Sequence, residues 1–453
     1  MNIVVIGNGK IGRSITENLA KEGHNLVVID NNEATLSDTI NGHDVMTVCG
    51  NGASRVVQTE ARVKNADLVI AVTDGDELNL LCCLVAKKLG AERTIARVRN
   101  PEYSDELALI REDLGLSLAI NPDFNSAQEI FSVLRFPGVM NVEKFAKGRV
   151  ELAEFRLPGS SPLSGHSLTE LNKRFKVKVL VCAVRRGEET FIPKGDFVLM
   201  PEDCISFVAS PDESERFLIA AGIPVRPPKN TIIVGAGRIS YYLTRMLRSI
   251  GIRPTVIDND KEKCRLFSEA FPGCLVLHGD GADRDLLAEE GIERADAFVA
   301  ATGTDEVNIL LSMYANSQKV PKVVTKVSRF SMVDLVGDKN LGSMISPKDI
   351  ISSQVTSFVR AMENSGASSN VETLYRIVNG TVEALEFIVR ENDSRLTDIP
   401  LKNLRLRSGL LLGCIIRGNK VIIPDGSACI KTGDRVIVIT TIPRLTSLQN
   451  IID

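Results

Sequence analysis

The sequence predicts an α/β protein of two tandem parallel-sheet domains, each followed by a small β-rich α+β domain, and three observations carry that prediction. Residues 3–7, Ile-Val-Val-Ile-Gly, form an apolar run that breaks into Gly7-Asn8-Gly9-Lys10-Ile11-Gly12; a helical pattern follows, and Asp30 ends the next apolar run. The arrangement returns as Thr231-Ile232-Ile233-Val234, then Gly235-Ala236-Gly237-Arg238-Ile239-Ser240 and Asp258, with Gly7 and Gly235, like Asp30 and Asp258, 228 residues apart. Turn-rich segments of alternating apolar residues follow each of these stretches. Repetition at a fixed spacing makes the doubling a property of the whole fold.

In chain order, strands at 2–6, 25–29, 45–48, 68–72 and 94–98, with a sixth near 116–120, alternate with helices at about 11–22, 32–40, 53–62, 77–89 and 103–113. Such short continuous apolar runs suit parallel strands buried on both faces, joined by right-handed crossovers. Asn121-Pro122 stops the sheet pattern, Asn125 to Arg135 reads as an amphipathic helix, and Phe136-Pro137-Gly138 closes a domain over 1–138. Residues 140–223 change character: Glu151 to Leu157 alternates, Val177 to Val184 is apolar, and Thr190 to Ile192 and Cys204 to Ala209 follow turns at Gly187 and Pro201. A short helix, Glu213 to Ala221, completes this small domain, and Pro224 with Arg226-Pro227-Pro228 makes a linker. The second parallel-sheet domain spans 229–362, with Pro347 as the counterpart of Pro122. A Ser- and Gly-rich linker, Asn364 to Asn370, leads to a last domain over 370–453. There Ile423-Pro424-Asp425-Gly426 stands 231 residues after Ile192-Pro193-Lys194-Gly195, as Asp434 does after Asp203.

The G-x-G-x-x-G pattern gains meaning from its context of strand, helix and acid, which together read as a Rossmann-like dinucleotide site. Gly7 permits the tight turn, Gly9 lets a pyrophosphate approach the backbone, and Gly12 lets helix and strand pack closely. Phosphates would rest on free N–H groups at the helix N-terminus. Asp30 would accept hydrogen bonds from the adenosine ribose, and its charge favours NAD(H) over NADP(H). The second loop repeats these roles at Gly235, Ala236, Gly237, Arg238, Ile239 and Asp258, except that Ser240 replaces the last glycine. A side chain there argues against full-strength dinucleotide binding in the second half. Asn8, Lys10 and Ile11 complete the first loop. Lys10 and Arg238 occupy the same slot, where a terminal phosphate would be felt, Arg238 more strongly.

Further repeats accompany the loops. Gly50-Asn51-Gly52-Ala53 is echoed by Gly279-Asp280-Gly281-Ala282, and Ala66-Asp67 with Thr73, Asp76, Glu77 and Asn79 by Ala295-Asp296 with Thr302, Asp305, Glu306 and Asn308, at a spacing of 229. Thr73-Asp74 and Thr302 fall at the carboxyl ends of the fourth strands, where open α/β sheets bind ligands. Asp76 and Glu77 read as first-turn acids of the next helix. Arg97 and Lys326 end the fifth strands, as cations for a phosphate or a neighbouring subunit.

Several function classes are disfavoured. A net charge of −3, a pI of about 6.0 and the lack of any basic block argue against nucleic acid as a partner. No apolar run approaches a membrane span, and a strand at the N-terminus leaves no room for a signal peptide. The nine cysteines lack C-x-x-C spacing and read as buried thiols in a reducing cytoplasm. The four histidines, His24, His43, His166 and His278, have no companions for acid–base work, and no metal set or Walker lysine is present. The expectation is a binding module, not an enzyme.

Taken together, the glycine loop with its acid, the G-[ND]-G-A turn, the A-D-x-x-x-A-x-T-x-x-D-E-x-N stretch and the I-P-x-G β domain resemble the RCK (regulator of K⁺ conductance) module. The resemblance covers essentially the whole chain. Two such modules without a membrane span imply a cytoplasmic regulatory subunit, peripheral on the inner face of the cell membrane, that binds NAD or NADH, with ATP or ADP as further candidate ligands. They also imply a homo-oligomeric ring, with helices such as 77–89 as contacts, docked on a membrane potassium-translocating subunit. A regulator of another transporter and a cryptic NAD-dependent oxidoreductase remain the alternatives. A subunit without catalytic groups acts by changing shape, so ligands of different phosphate content are expected to stabilise different arrangements of the two halves.

Overall fold

A computed structural model describes all residues except 41–44, 136–138, 146–148, 188, 224, 226–227, 329–340, 366–370, 378–381, 391–392, 394, 408, 419, 443–444, 446 and 453. The expected boundary at 136–138 and most of the two expected linkers therefore lie outside the described residues. Of the second linker, Asn364 and Ser365 still belong to a helix.

The first parallel sheet contains β1 (Asn2–Ile6), β2 (Asn25–Asp30), β3 (Met46–Cys49), β4 (Leu68–Ala71), β5 (Arg93–Arg97) and β6 (Leu118–Ile120). Between and after them run α1 (Lys10–Lys21), α2 (Glu33–Ile40), α3 (Arg55–Glu60), α4 (Asp76–Leu89), α5 (Pro101–Ile110) and α6 (Pro122–Arg135). The first antiparallel sheet holds β7 (Val139–Phe145), β8 (Val150–Arg156), β9 (Leu180–Arg186), β10 (Glu189–Phe191) and β11 (Cys204–Ala209), with α7 (Leu168–Phe175) and α8 (Pro211–Ala220). The second half repeats this with β12 (Thr231–Val234), β13 (Thr255–Asp258), β14 (Leu275–His278), β15 (Ala297–Ala300), β16 (Lys322–Lys326) and β17 (Ser343–Ile345). Its helices are α9 (Arg238–Ser249), α10 (Lys261–Ala270), α11 (Arg284–Glu289), α12 (Asp305–Ser317) and α13 (Pro347–Ser365). The last sheet is β18 (Val371–Ile377), β19 (Val382–Ile388), β20 (Leu410–Arg417), β21 (Lys420–Ile422) and β22 (Arg435–Thr440).

The chain forms two compact units, and each half contributes to both. The first unit joins residues 1–131 to 229–356, and the second joins 132–228 to 357–453.

In the first unit the sheets run β3-β2-β1-β4-β5-β6 and β14-β13-β12-β15-β16-β17. Strand order reverses between β1 and β4, and between β12 and β15, so each glycine loop opens at a switch point where such sheets bind ligands. The strands earn this place by composition: Ile3 to Ile6 and Leu68 to Ala71 are all at most 2% exposed. The helix after each sheet crosses to the other half. Asn121, just before α6, donates to the Tyr242 hydroxyl of α9 at 2.9 Å, and Phe124 meets the Tyr242 ring edge-on. In return Ser352 of α13 donates to Ser14 of α1 at 2.9 Å, and Asn125 bonds Gln354 at 2.7 Å. Among the described residues, no helix is long and apolar enough to cross a membrane.

In the second unit the two antiparallel sheets run β10-β9-β11-β8-β7 and β18-β19-β22-β20-β21. They share an apolar core that includes Leu152, Cys182 and Val208 with Ala384, Cys414 and Ile437. Each small domain is also pinned by a bidentate ion pair: Arg186 holds fully buried Asp203 at 2.8 Å through two nitrogens, and Arg417 holds Asp434 at 2.9 and 2.8 Å. Two elements go beyond the sequence reading, β7 and α7. The second carried a readable signal, because Ser167 and Glu170 form a capping box at its start. All nine cysteines are free; six are buried as expected, and burial pushes the Cys82 thiol up to about 12, but Cys274 and Cys429 are half-buried and Cys49 is exposed, against the reading of buried thiols.

Candidate functional site

Each glycine loop is built by the strand before it and the strand beyond the switch point. Gly7 has φ of +100° and Gly235 of +107°, a region that suits glycine. Their N–H groups donate to Ile29 and Ile257 at 2.8 and 2.7 Å, which turns the chain away from the sheet. A methyl group on Gly12 would sit 1.8 Å from the Gly7 carbonyl oxygen, so this glycine serves the packing of α1 on the loop. Gly52 and Gly281 serve close approach as well: a Cβ there would lie 2.2 Å from Ile6 and Val234. The middle glycines differ. A Cβ on Gly9 or Gly237 would meet nothing within 4 Å, and their φ values of −68° and −86° suit any residue.

Ser240 corrects an expectation. Its side chain does not wedge helix and strand apart; it is fully buried, and its hydroxyl donates to the Gly235 carbonyl at 2.5 Å. The second loop keeps the first loop's hydrogen bonds. Asp30 accepts from the Asn8 N–H at 2.6 Å and the Asn32 N–H at 2.9 Å. Asp258 accepts from Ala236 at 2.7 Å and Asp260 at 2.8 Å. Each carboxylate thus ties its loop to the end of the second strand, with lone pairs left for further donors. The Asn8 side chain, expected at the ligand, is buried instead and donates to the Thr35 carbonyl at 2.7 Å.

A second correction concerns the cations at the fifth strands. Arg97 is buried and donates to the Thr73 carbonyl, with Asp74 at 3.4 Å; Lys326 donates to the Thr302 carbonyl at 2.8 Å. Both hold the loop after the fourth strand. Burial lowers the pKa of each; Arg99 adds to the effect on Arg97, whereas Asp123 and Asp305 oppose it at Lys326. Asn51 and Asp280 cap their own turns, accepting from Ala53 and Ala282 at 2.9 Å. Ile11 is half-buried and Ile239 buried, as apolar first-turn residues of α1 and α9, while Lys10 and Arg238 are exposed.

Three residues outside the sequence-based site set organise it. Asn79 is fully buried and accepts from the Thr73 N–H and hydroxyl, both at 2.7 Å, while donating to the Arg97 carbonyl at 2.9 Å. Asn308 repeats this on Thr302 and Lys326 at 2.8, 2.7 and 3.0 Å. Asp123, in the first turn of α6, lies 3.9 Å from Arg238 across the boundary between the halves. Burial raises its pKa, against the pull of Arg238, Arg99, Lys326 and Arg97. The recurring Asn at the end of the T-x-x-D-E-x-N stretch was a signal for the clamp. Asp123 had none, because its partner is fixed only by tertiary packing.

The TrkA-N domain model matches residues 3–122 and 231–347, and the TrkA-C domain model matches 152–218 and 385–453. A Trk system potassium uptake protein TrkA homolog of Archaeoglobus fulgidus is 31% identical over 451 residues, covering 100% of both chains. The Trk system potassium uptake protein TrkA of Halomonas elongata is 31% identical, over 97% of this chain and 95% of its own. Among solved structures, the GsuK channel bound to NAD superimposes with a TM-score of 0.64 at 19% identity, over 99% of this chain and 77% of that one. The chain therefore belongs to the TrkA family and carries its TrkA-N and TrkA-C domains twice in one polypeptide.

Proposed function

We propose that the chain is a nucleotide-sensing regulatory subunit that binds NAD(H), and ATP or ADP, at its glycine loops and gates a membrane potassium-translocating subunit from the cytoplasmic face. The observation that carries this reading is the open middle glycine of each loop. Neither the backbone at Gly9 and Gly237 nor its surroundings needs a glycine, so the missing side chain leaves room for something outside the chain. That room lies at a helix N-terminus, where unpaired N–H groups favour phosphate. Asp30 and Asp258 stand one strand away, at the ribose position. The names of the Halomonas and Archaeoglobus relatives support a role in potassium uptake, and the NAD-bound GsuK channel supports the ligand.

A ring of subunits is part of the proposal. Leu78 and Leu81 on α4 and Leu310 and Met313 on α12 are 36–66% exposed, an apolar surface repeated on both halves and suited to contacts between copies.

The reading is tested by potassium flux in vesicles holding this chain with its co-purified membrane subunit. Flux should differ between NAD, NADH, ADP and ATP; four equal fluxes, with all four ligands bound, contradict it. Cofactor choice supplies a second check. Wild-type protein should prefer NAD to NADP, since a 2′-phosphate would face Asp30. Asp30→Ala should weaken NAD roughly 10- to 100-fold at the first loop, the worth of hydrogen bonds to a charged group. It should also narrow the preference over NADP; equal NAD and NADP affinities in the wild type would remove the assignment of Asp30.

A further inference from the structure

The two halves repeat each other closely, yet one pair of equivalent positions carries opposite charges. Pro122-Asp123 opens α6 as Pro347-Lys348 opens α13. Each of these helices leaves its own sheet and packs on the glycine-loop helix of the other half: α6 on α9 through Asn121, Phe124 and Tyr242, and α13 on α1 through Ser352 and Ser14. The first turn of α6 therefore stands before the second loop, where Asp123 comes within 3.9 Å of Arg238, the first residue of α9. The counterpart of Asp123 in the first turn of α13 is Lys348, and the first helical residue after the first loop is Lys10. Asp349 follows Lys348, but it stands in the place of Phe124, which contacts the second turn of α9 rather than the loop. The second loop thus has a cation already matched by an acid, whereas the repeat gives the first half a lysine in place of that acid.

We propose that the loops differ in the ligand classes they take. The Gly7–Gly12 loop accepts a nucleotide that ends in a free phosphate, such as ATP or ADP, as well as a dinucleotide. The Gly235–Ser240 loop is kept by Asp123 for a dinucleotide. This rests on the reading of both loops as nucleotide sites. The chemistry of the ligands makes the distinction. Both phosphates of a dinucleotide are bridging and carry one charge each. A terminal phosphate is close to doubly charged at neutral pH, and it would project from the helix N-terminus toward the Asp123 carboxylate. Asp123 is only 19% exposed at its side chain, so water screens that repulsion poorly. Arg99, Lys326 and Arg97 pull the pKa of Asp123 down, as Arg238 does, against the burial that raises it. A simple helix-start role, in which an acid complements the dipole of α6, predicts a change in stability alone.

The test is calorimetric titration of the full chain with ATP and, separately, with NAD, using Gly9→Val and Gly237→Val to silence one loop at a time. The expected result is that Gly9→Val removes ATP binding while NAD still binds, and Gly237→Val leaves ATP binding intact. In the Gly9→Val background, Asp123→Asn should restore ATP binding at the second loop, a gain of about tenfold or more in affinity. Asp123→Ser serves as a second variant should the amide disturb the fold. Lys348→Gln should weaken ATP at the first loop and leave NAD at the second unchanged. Equal ATP binding by both loops, or ATP affinities indifferent to Asp123→Asn, Asp123→Ser and Lys348→Gln, overturns the proposal while leaving nucleotide binding standing. Binding of both ligands that ignores both glycine substitutions overturns the nucleotide reading itself, and this proposal with it.

Discussion

Gly12→Ala is expected to destabilise the first parallel-sheet domain by about 3 kcal/mol or more, among the larger effects for a single methyl group. The new Cβ would lie 1.8 Å from the Gly7 carbonyl oxygen. That atom is backbone, fixed by the positive φ of Gly7 and its hydrogen bond to Ile29, so no side chain can rotate away to make room. The helix has to slide along the strand, and the loop geometry goes with it. The second half offers the contrast. Ser240 already stands at the equivalent position and returns a hydrogen bond to Gly235, so Ser240→Gly should cost only about 1 kcal/mol through the lost bond. Urea unfolding of the two variants checks both values; equal effects would show that the loops are not packed as described.

Asn79→Ala is expected to cost about 2–4 kcal/mol and to loosen the first site at the same time. Asn79 has no exposed surface, and its amide satisfies the Thr73 N–H, the Thr73 hydroxyl and the Arg97 carbonyl. Removing it leaves those groups buried without their partner, the costly side of hydrogen-bond energetics. The effect reaches function because Thr73 follows β4 at the switch point, beside the glycine loop; a Cβ on Gly7 would touch the Thr73 nitrogen at 2.8 Å. A slack Thr73 loop widens the phosphate end of the site. Asn308→Ala should behave alike in the second half. Thermal unfolding together with NAD titration tests this: a loss of stability without a loss of affinity would separate the clamp from the site.

How much of this was legible in the sequence depends on how local the cause is. The loop, the acid and the G-x-G-A turn were readable because each demands a residue type at a fixed spacing within one βαβ unit. The parallel sheets followed from short apolar runs such as Ile3 to Ile6. The boundaries of α6 were readable in part: the amphipathic pattern from Asn125 was visible, but the helix starts at Pro122, which suits a first helical position. Partner choice was not readable. Arg97 and Lys326 looked like cations for a ligand, yet each finds a carbonyl of its own loop a few ångströms away. Asn8 looked like a loop residue facing a ligand and turns inward to Thr35. Ser240 looked like an obstruction, because the sequence does not reveal that the nearest acceptor lies within reach of its hydroxyl. The exchange of α6 and α13 between halves, which brings Asp123 to Arg238, joins residues more than a hundred positions apart and leaves no periodic trace.

The central claim is that the glycine loops are nucleotide sites, and Gly9→Val combined with Gly237→Val tests it most directly. Both positions have ordinary φ values and empty space around a Cβ, so the double variant should unfold at the same temperature as the wild type. NAD titrated calorimetrically into the wild-type chain should give a binding isotherm. The double variant should give none, because the valine side chains fill the space the phosphates need. NAD binding of unchanged affinity in a folded double variant would contradict the account.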